Sequence, residues 1–139
     1  MVMPSPHFNP RECLDAIEKE KCASIYGTPF MFTDLISAQR ILKRNLNSVE
    51  TDIMAGAPCP VKLCEDVVNE LNAKDFTIGY GMTETSPITF QGFPNDSVEL
   101  KTSTIGFPAD HTEVSMTTLL GAHYFLAHRI KQQIPELRI

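Results

Sequence analysis

The residues best suited to chemistry lie together in residues 79–87, which read GYGMTETSP. Glycines let backbone N–H groups approach an anion, a threonine hydroxyl such as that of Thr83 can donate to phosphate oxygens, and the carboxylate of Glu84 can hold Mg²⁺. Tyr80 offers a ring face to a nucleobase. The segment therefore suits a phosphorylated nucleotide, although composition alone favours a plainer alternative, a tight loop whose hydroxyl groups cap backbone groups.

Neither of two common phosphate-binding motifs accounts for this segment. In a G-x-G-x-x-G dinucleotide motif the third glycine would fall on Glu84, and no helix is predicted to follow. The G-x-x-x-x-G-K-[ST] motif occurs nowhere in the chain. The possible function of residues 79–87 therefore depends on the secondary-structure elements that position them.

Those elements are an alternating series of helices and strands. Asn9 as an N-cap, with Pro10 at the first helical position, predicts a helix that ends near Lys21. Apolar periodicity and turn residues then predict strands over residues 22–26, 53–55 and 76–80 and helices over residues 29–42 and 61–71.

The strand ends should meet at one edge of a sheet. Strands that alternate with helices over short connections must pair in parallel, because each helix carries the chain back across the sheet. The carboxyl ends at Gly27, Gly56 and Tyr80 would then share one edge. Open α/β sheets bind their ligands at that edge.

The pattern changes twice after this series. Residues 87–116 hold short apolar pieces split by prolines, which predicts the start of a small β-rich subdomain, and residues 117–139 predict an atypical C-terminal helical tail. We therefore expect an α/β fold in three parts: residues 1–86 with a parallel sheet and covering helices, residues 87–116, and residues 117–139. It would be part of a larger domain.

Composition excludes several classes of partner. Twelve Lys and Arg against 17 Asp and Glu leave a net charge of −5, which disfavours binding to nucleic acid or anionic lipid. No apolar stretch approaches the roughly 20 residues of a membrane span. The four cysteines form no C-x-x-C pair and indicate reduced thiols, and the first ten residues resemble neither a secretory signal nor an Arg-rich transit peptide. We expect a cytoplasmic location for the chain as given.

Residues 80–84, Y-G-M-T-E, closely resemble the Y-G-x-T-E signature of the adenylate-forming acyl-CoA synthetases, the AMP-dependent synthetase/ligase family. Residues 26–32 resemble the family's strand-to-helix segment along the acyl pocket, and residues 55–58 resemble its G-A-P turn beside adenine. Together with residues 105–108, the resemblance covers roughly residues 8–116. Residues 8–9 and 85–90 are most similar to the medium-chain acyl-CoA synthetases, especially the acyl-CoA synthetase family member 2 type.

The resemblance implies a role for each matching residue. Thr83 would contact the α-phosphate of ATP, and Glu84 would bind Mg²⁺; these two are the expected catalytic residues. The expected nucleotide-binding set is Gly56, Ala57, Pro58, Gly79, Tyr80, Gly81, Met82 and Thr83, with Tyr80 stacked on adenine. The expected acyl pocket is Gly27, Thr28, Pro29 and Phe30, although the residues at 30–32 could equally be helix core.

The implied reaction joins a carboxylic acid to the α-phosphate of ATP and then passes the acyl group to coenzyme A. The partners would be the acid, ATP or AMP, Mg²⁺ and CoA, and a full-length relative could be mitochondrial. The chain contains neither the family's Ser/Thr/Gly-rich loop ending in Lys nor its C-terminal catalytic domain, so we expect these residues alone not to complete the reaction. The alternative is a non-catalytic truncated paralogue or isoform that acts as a binding module, and an exposed sheet edge could pair with a second copy.

Overall fold

The computed structural model describes residues 1–117 and 123–127, and its centre is one mixed five-stranded sheet. The strand order is β1-β2-β3-β4-β5. Strands β1, β2 and β3 pair in parallel, while β4 and β5 continue the sheet in the antiparallel sense. Their bounds are Ser24–Gly27 for β1, Thr51–Ala55 for β2, Thr77–Gly81 for β3, Ile88–Gln91 for β4 and Phe107–Pro108 for β5.

Within residues 1–117, four α-helices accompany the sheet. They are α1 (Pro10–Glu20), α2 (Pro29–Leu42), α3 (Val61–Leu71) and α4 (Val98–Ser103). Helices α2 and α3 connect successive parallel strands and pack against each other, so right-handed crossovers place both on the same face of the sheet. Helix α1 packs on the outer side of α2, and α4 packs on α3.

Local chemistry explains where the helices begin. The Asn9 side-chain oxygen accepts hydrogen bonds from the backbone N–H of Arg11 at 3.1 Å and of Glu12 at 3.4 Å, which confirms the predicted N-cap. Thr28 caps α2 in the same way, through the N–H of Met31. The predicted alternation of strands and helices up to β3 is confirmed, with boundaries that differ by one or two residues.

The core lies between the helices and the sheet. Phe32, Phe76 and Leu14 are among its largest fully buried side chains. The other members of the cluster are Ile17, Ile25, Leu35, Ile36, Leu46, Val49, Met54, Cys64, Val67, Leu71 and Ala73.

The side chain of Asp52 is buried in β2, an interior strand of the sheet. Asp52 is 1% exposed, and neither of its carboxylate oxygens has a hydrogen-bond partner among the described residues. Burial raises the pKa of Asp52 to about 7. The backbone amide of Ile25 lowers that pKa in part, although its geometry falls short of a hydrogen bond.

The structure departs from the sequence expectations after residue 86. Strands β4 and β5 extend the first sheet, so the boundary expected at residues 86–87 falls inside that sheet, and the three-part division remains a prediction. A separate antiparallel pair is formed by β6 (Glu113–Thr117) and β7 (His123–Ala127).

The helix predicted over residues 117–139 is wrong at His123–Ala127, because this segment pairs along its length with β6. The backbone hydrogen bonds of a strand partner override the helical spacing of the apolar residues. The remainder of the predicted tail lies outside the described residues.

Candidate functional site

A cleft of about 700 Å³ opens at the carboxyl ends of the parallel strands. It is lined by the turn after β2, by the end of β3, and by the end of α4 with the residues that follow it. The lining residues are Gly56, Ala57, Pro58, Cys59, Ile78, Gly79, Tyr80, Gly81, Lys101, Thr102, Ser103, Thr104 and Ile105. The structure thus brings together two of the sequence segments, residues 56–58 and 79–81, that lie more than twenty positions apart.

The turn after β2 depends on Gly56. Its φ of +90° lies in the left-handed region that side-chain-bearing residues rarely adopt. This conformation turns the chain away from the sheet, so that the next two residues border the cleft before α3 begins at Val61.

Tyr80 is held by one neighbour and remains accessible. Its ring lies edge-on to Phe90 of the adjacent strand, with centroids 5.9 Å apart and an interplanar angle of 61°. The side chain is nevertheless 47% exposed. An aromatic ring with this combination of packing and access can stack against a flat ligand.

The chain turns sharply after β3, and glycine is needed there. A Cβ atom at Gly81 would overlap the carbonyl group of Pro87. The hydroxyl of Thr85 holds the turn, since it accepts the N–H of Met82 at 3.1 Å and is the acceptor for the hydroxyl of Thr89 at 2.8 Å. Thr85 therefore caps backbone groups, as expected if residues 79–87 form a tight loop.

Thr83 and Glu84 lie in the short 3₁₀ turn Thr83–Thr85, and both are exposed. Neither side chain makes a hydrogen bond or an ion pair among residues 1–117. Together with Met82, they follow the cleft rather than line it. The tight-loop interpretation therefore applies to Thr85, whose hydroxyl stabilises the turn. The exposed side chains of Thr83 and Glu84 are accessible to a ligand, as the nucleotide-binding interpretation requires.

The donor set at this turn fits Mg²⁺ only with help from a ligand. The part of the chain that the structure describes holds no group of three or more His, Cys, Asp or Glu side chains placed to bind a metal. Magnesium in nucleotide sites commonly takes one or two protein carboxylates, with phosphate oxygens and waters as its other ligands. The single exposed carboxylate of Glu84 is compatible with that arrangement.

The expected acyl residues lie beside the cleft without lining it. Thr28 is next to the cleft-lining Gly56, since a Cβ atom at Gly56 would lie 3.5 Å from the Cγ2 atom of Thr28. Pro29 is buried, whereas Phe30 is 72% exposed. The helix-core alternative is therefore wrong for Phe30 and correct for Phe32, which is fully buried.

Sequence reasoning missed the wall formed by α4. Six residues are too few for helical periodicity to be read, and the cap by Ser97, which accepts the N–H of Leu100 at 3.2 Å, is the only local signal. The buried side chain of Lys101 holds this helix in place. Its ammonium group donates to the carbonyl of Pro94 at 2.7 Å and lies 4.5 Å from the ring centroid of Phe76.

The thiols near the cleft are poor nucleophiles. Burial raises the pKa of Cys59, and burial, followed by the neighbouring Cys59, raises the pKa of Cys64 to about 11. All four cysteines are free. This supports the interpretation of structural, reduced thiols.

Comparisons with known proteins point to one family. The model of the AMP-binding enzyme family matches residues 1–117. The protein named medium-chain acyl-CoA ligase ACSF2, mitochondrial, from Danio rerio is 44% identical over 116 residues, which are 84% of this chain and 19% of that protein. The Homo sapiens protein of the same name is 35% identical over 119 residues, which are 86% of this chain and 19% of that protein.

A solved structure shares the fold. The anthranilate CoA ligase AuaEII in complex with anthranoyl-AMP superposes with a TM-score of 0.70 at 19% identity, covering 83% of this chain and 22% of that one. The chain spans about one fifth of the length of the curated relatives it matches. Among the described residues, no helix has the length and apolar character that a membrane crossing requires.

Proposed function

Because the chain belongs to the AMP-binding enzyme family, we propose that it forms the nucleotide-binding part of an ATP-dependent carboxylic acid–CoA ligase. The observation that carries this proposal is the cleft at the carboxyl ends of parallel strands, which residues 56–58 and 79–81 both line. The relatives, which are named as ligases, favour this function over a non-catalytic binding module.

The reaction has two steps. A carboxylate oxygen of the acid attacks the α-phosphorus of ATP, the bond to the bridging oxygen breaks, and pyrophosphate leaves. The thiolate sulfur of CoA then attacks the acyl carbonyl, and AMP leaves. The 139 residues would bind the nucleotide without completing either step by themselves.

The residues at the site would then have the following roles. Tyr80 stacks on adenine, and the turn at residues 56–58 borders the base. The hydroxyl of Thr83 donates to an α-phosphate oxygen, where negative charge develops during the attack. Glu84 would hold Mg²⁺, which when bound neutralises phosphate charge.

The acid is proposed to be a medium-chain fatty acid, following the names of the relatives from Danio rerio and Homo sapiens. Gly27, Thr28, Pro29 and Phe30 would border its chain. The same names support a mitochondrial location for the whole protein. Pairing with a second copy through the β1 edge stays a prediction.

The test is a thermal melt of the full chain with a non-hydrolysable octanoyl-adenylate analogue, with and without Mg²⁺. A ligand that binds only the folded state stabilises it by about 2.7 kcal/mol at a hundredfold excess over Kd. Glu84→Gln should remove the part of the shift that depends on Mg²⁺. Glu50→Gln is the matched control, since that exposed residue lies at the opposite end of β2.

An upward shift in the wild type that Glu84→Gln makes insensitive to Mg²⁺ would support the proposal. A cooperative melt that no nucleotide analogue shifts would contradict it. An Mg²⁺-dependent shift that is equal in both variants would refute the role of Glu84 alone.

A further inference from the structure

The cleft offers few side-chain atoms that can accept a hydrogen bond. Seven of its lining residues are glycine, alanine, proline or isoleucine and have no polar side-chain atom. The ammonium group of Lys101 can only donate hydrogen bonds, and it already donates one to the carbonyl oxygen of Pro94. Cys59 offers sulfur, a weak acceptor. Apart from the phenol of Tyr80, the remaining acceptors are the three hydroxyl groups of residues 102–104.

The hydrogens of these hydroxyl groups are already committed to backbone carbonyls. The single hydroxyl hydrogen of Thr102 is shared between the carbonyl oxygens of Val98 at 2.9 Å and Glu99 at 3.1 Å. Ser103 and Thr104 both donate to the carbonyl oxygen of Leu100. A hydroxyl whose hydrogen is engaged in this way presents only lone pairs to a ligand.

Thr102 is the best placed of the three. The oxygen of Thr104 already accepts the N–H of Gly106 at 3.3 Å, and Ser103 is exposed to water. Thr102 is half-buried, and Lys101 beside it anchors the helix from the inside. A hydrogen bond shielded from water discriminates more strongly between ligands than an exposed one.

We propose that Thr102 is a specificity-determining residue that accepts the 6-amino group of adenine. The inference rests on the proposed function, because it assumes that the base occupies this cleft. Adenine carries an amino donor at position 6, whereas hypoxanthine and guanine carry an oxygen acceptor there. An oxygen at position 6 would face the lone pairs of the Thr102 hydroxyl, whose hydrogen is already donated to the backbone, so the two oxygens could not form a hydrogen bond.

The test compares AMP with IMP, which differ in the base by this group and by the proton on N1. Binding of each to the full chain is measured by isothermal titration calorimetry. The wild type should prefer AMP by about tenfold. Thr102→Val keeps the shape and removes the acceptor, so AMP should bind about tenfold more weakly while IMP is unchanged, and the AMP preference should disappear.

Thr33→Val is the matched control. Thr33 donates its hydroxyl hydrogen to the carbonyl four residues earlier, that of Pro29, at 3.0 Å, as Thr102 does to Val98, but it does not line the cleft. The control should leave both affinities unchanged. A purely structural effect of Thr102→Val would weaken AMP and IMP by the same factor.

Loss of the AMP preference in Thr102→Val alone would support the assignment. Equal weakening of both nucleotides, or an AMP preference that survives Thr102→Val, would overturn it and leave the proposed function standing. A wild type that binds neither nucleotide would overturn the proposed function and this assignment with it.

Discussion

The buried carboxylate of Asp52 should make the stability of this fold fall as pH rises. Its pKa is raised from 3.8 to about 7 because the charged form is desolvated in the interior strand β2. The folded state therefore holds the proton more tightly than the unfolded state. Its contribution to stability is favourable below about pH 4, is lost progressively up to about pH 7, and changes no further above that.

The magnitude follows from the size of the shift. About three pKa units at 1.36 kcal/mol each correspond to about 4 kcal/mol of unfolding free energy between pH 4 and pH 8. Asp52→Asn keeps the size of the side chain and removes its ionisation. Relative to the wild type, the variant should gain little stability at pH 4 and about 4 kcal/mol at pH 8.

The assay is urea unfolding followed by circular dichroism between pH 4 and pH 8. The difference between the two proteins at each pH cancels the titration of the other carboxylates. A constant offset between Asp52→Asn and the wild type across this range would refute the reasoning, whatever its sign.

Two further predictions concern the site. Gly81→Ala should destabilise the chain by about 2 kcal/mol or more and weaken AMP binding, because the new methyl group overlaps the carbonyl of Pro87. The control is Gly92→Ala, where the new Cβ atom would lie 3.8 Å from its nearest neighbour. Equal melting temperatures of the two variants would contradict the prediction. Phe30→Ser should change stability by less than about 0.5 kcal/mol but weaken the octanoyl-adenylate analogue relative to AMP, whereas Phe32→Ala should cost about 3–5 kcal/mol. Unchanged relative affinity, measured by calorimetry, would remove Phe30 from the acyl pocket.

Local sequence signals determined most of the first eighty residues. The Asn9 and Thr28 caps are short-range hydrogen bonds that need no tertiary partner, so the starts of α1 and α2 could be predicted. The parallel order of the first three strands followed from the connecting helices. The candidate site was also predictable in part, because Gly56, Gly79 and Gly81 lie at the ends of strands whose carboxyl ends must share an edge.

Tertiary structure decided the rest. Helix α4 is too short to show a period, and only its packing on α3 makes it a wall of the cleft and places Thr102 there. The helical spacing beyond residue 117 gave way at His123–Ala127 to pairing with β6, since a strand partner supplies the backbone hydrogen bonds that local preference does not. The sequence alone thus predicts elements that are stabilised by neighbours in the chain, whereas contacts between distant residues decide which side chains face the cleft.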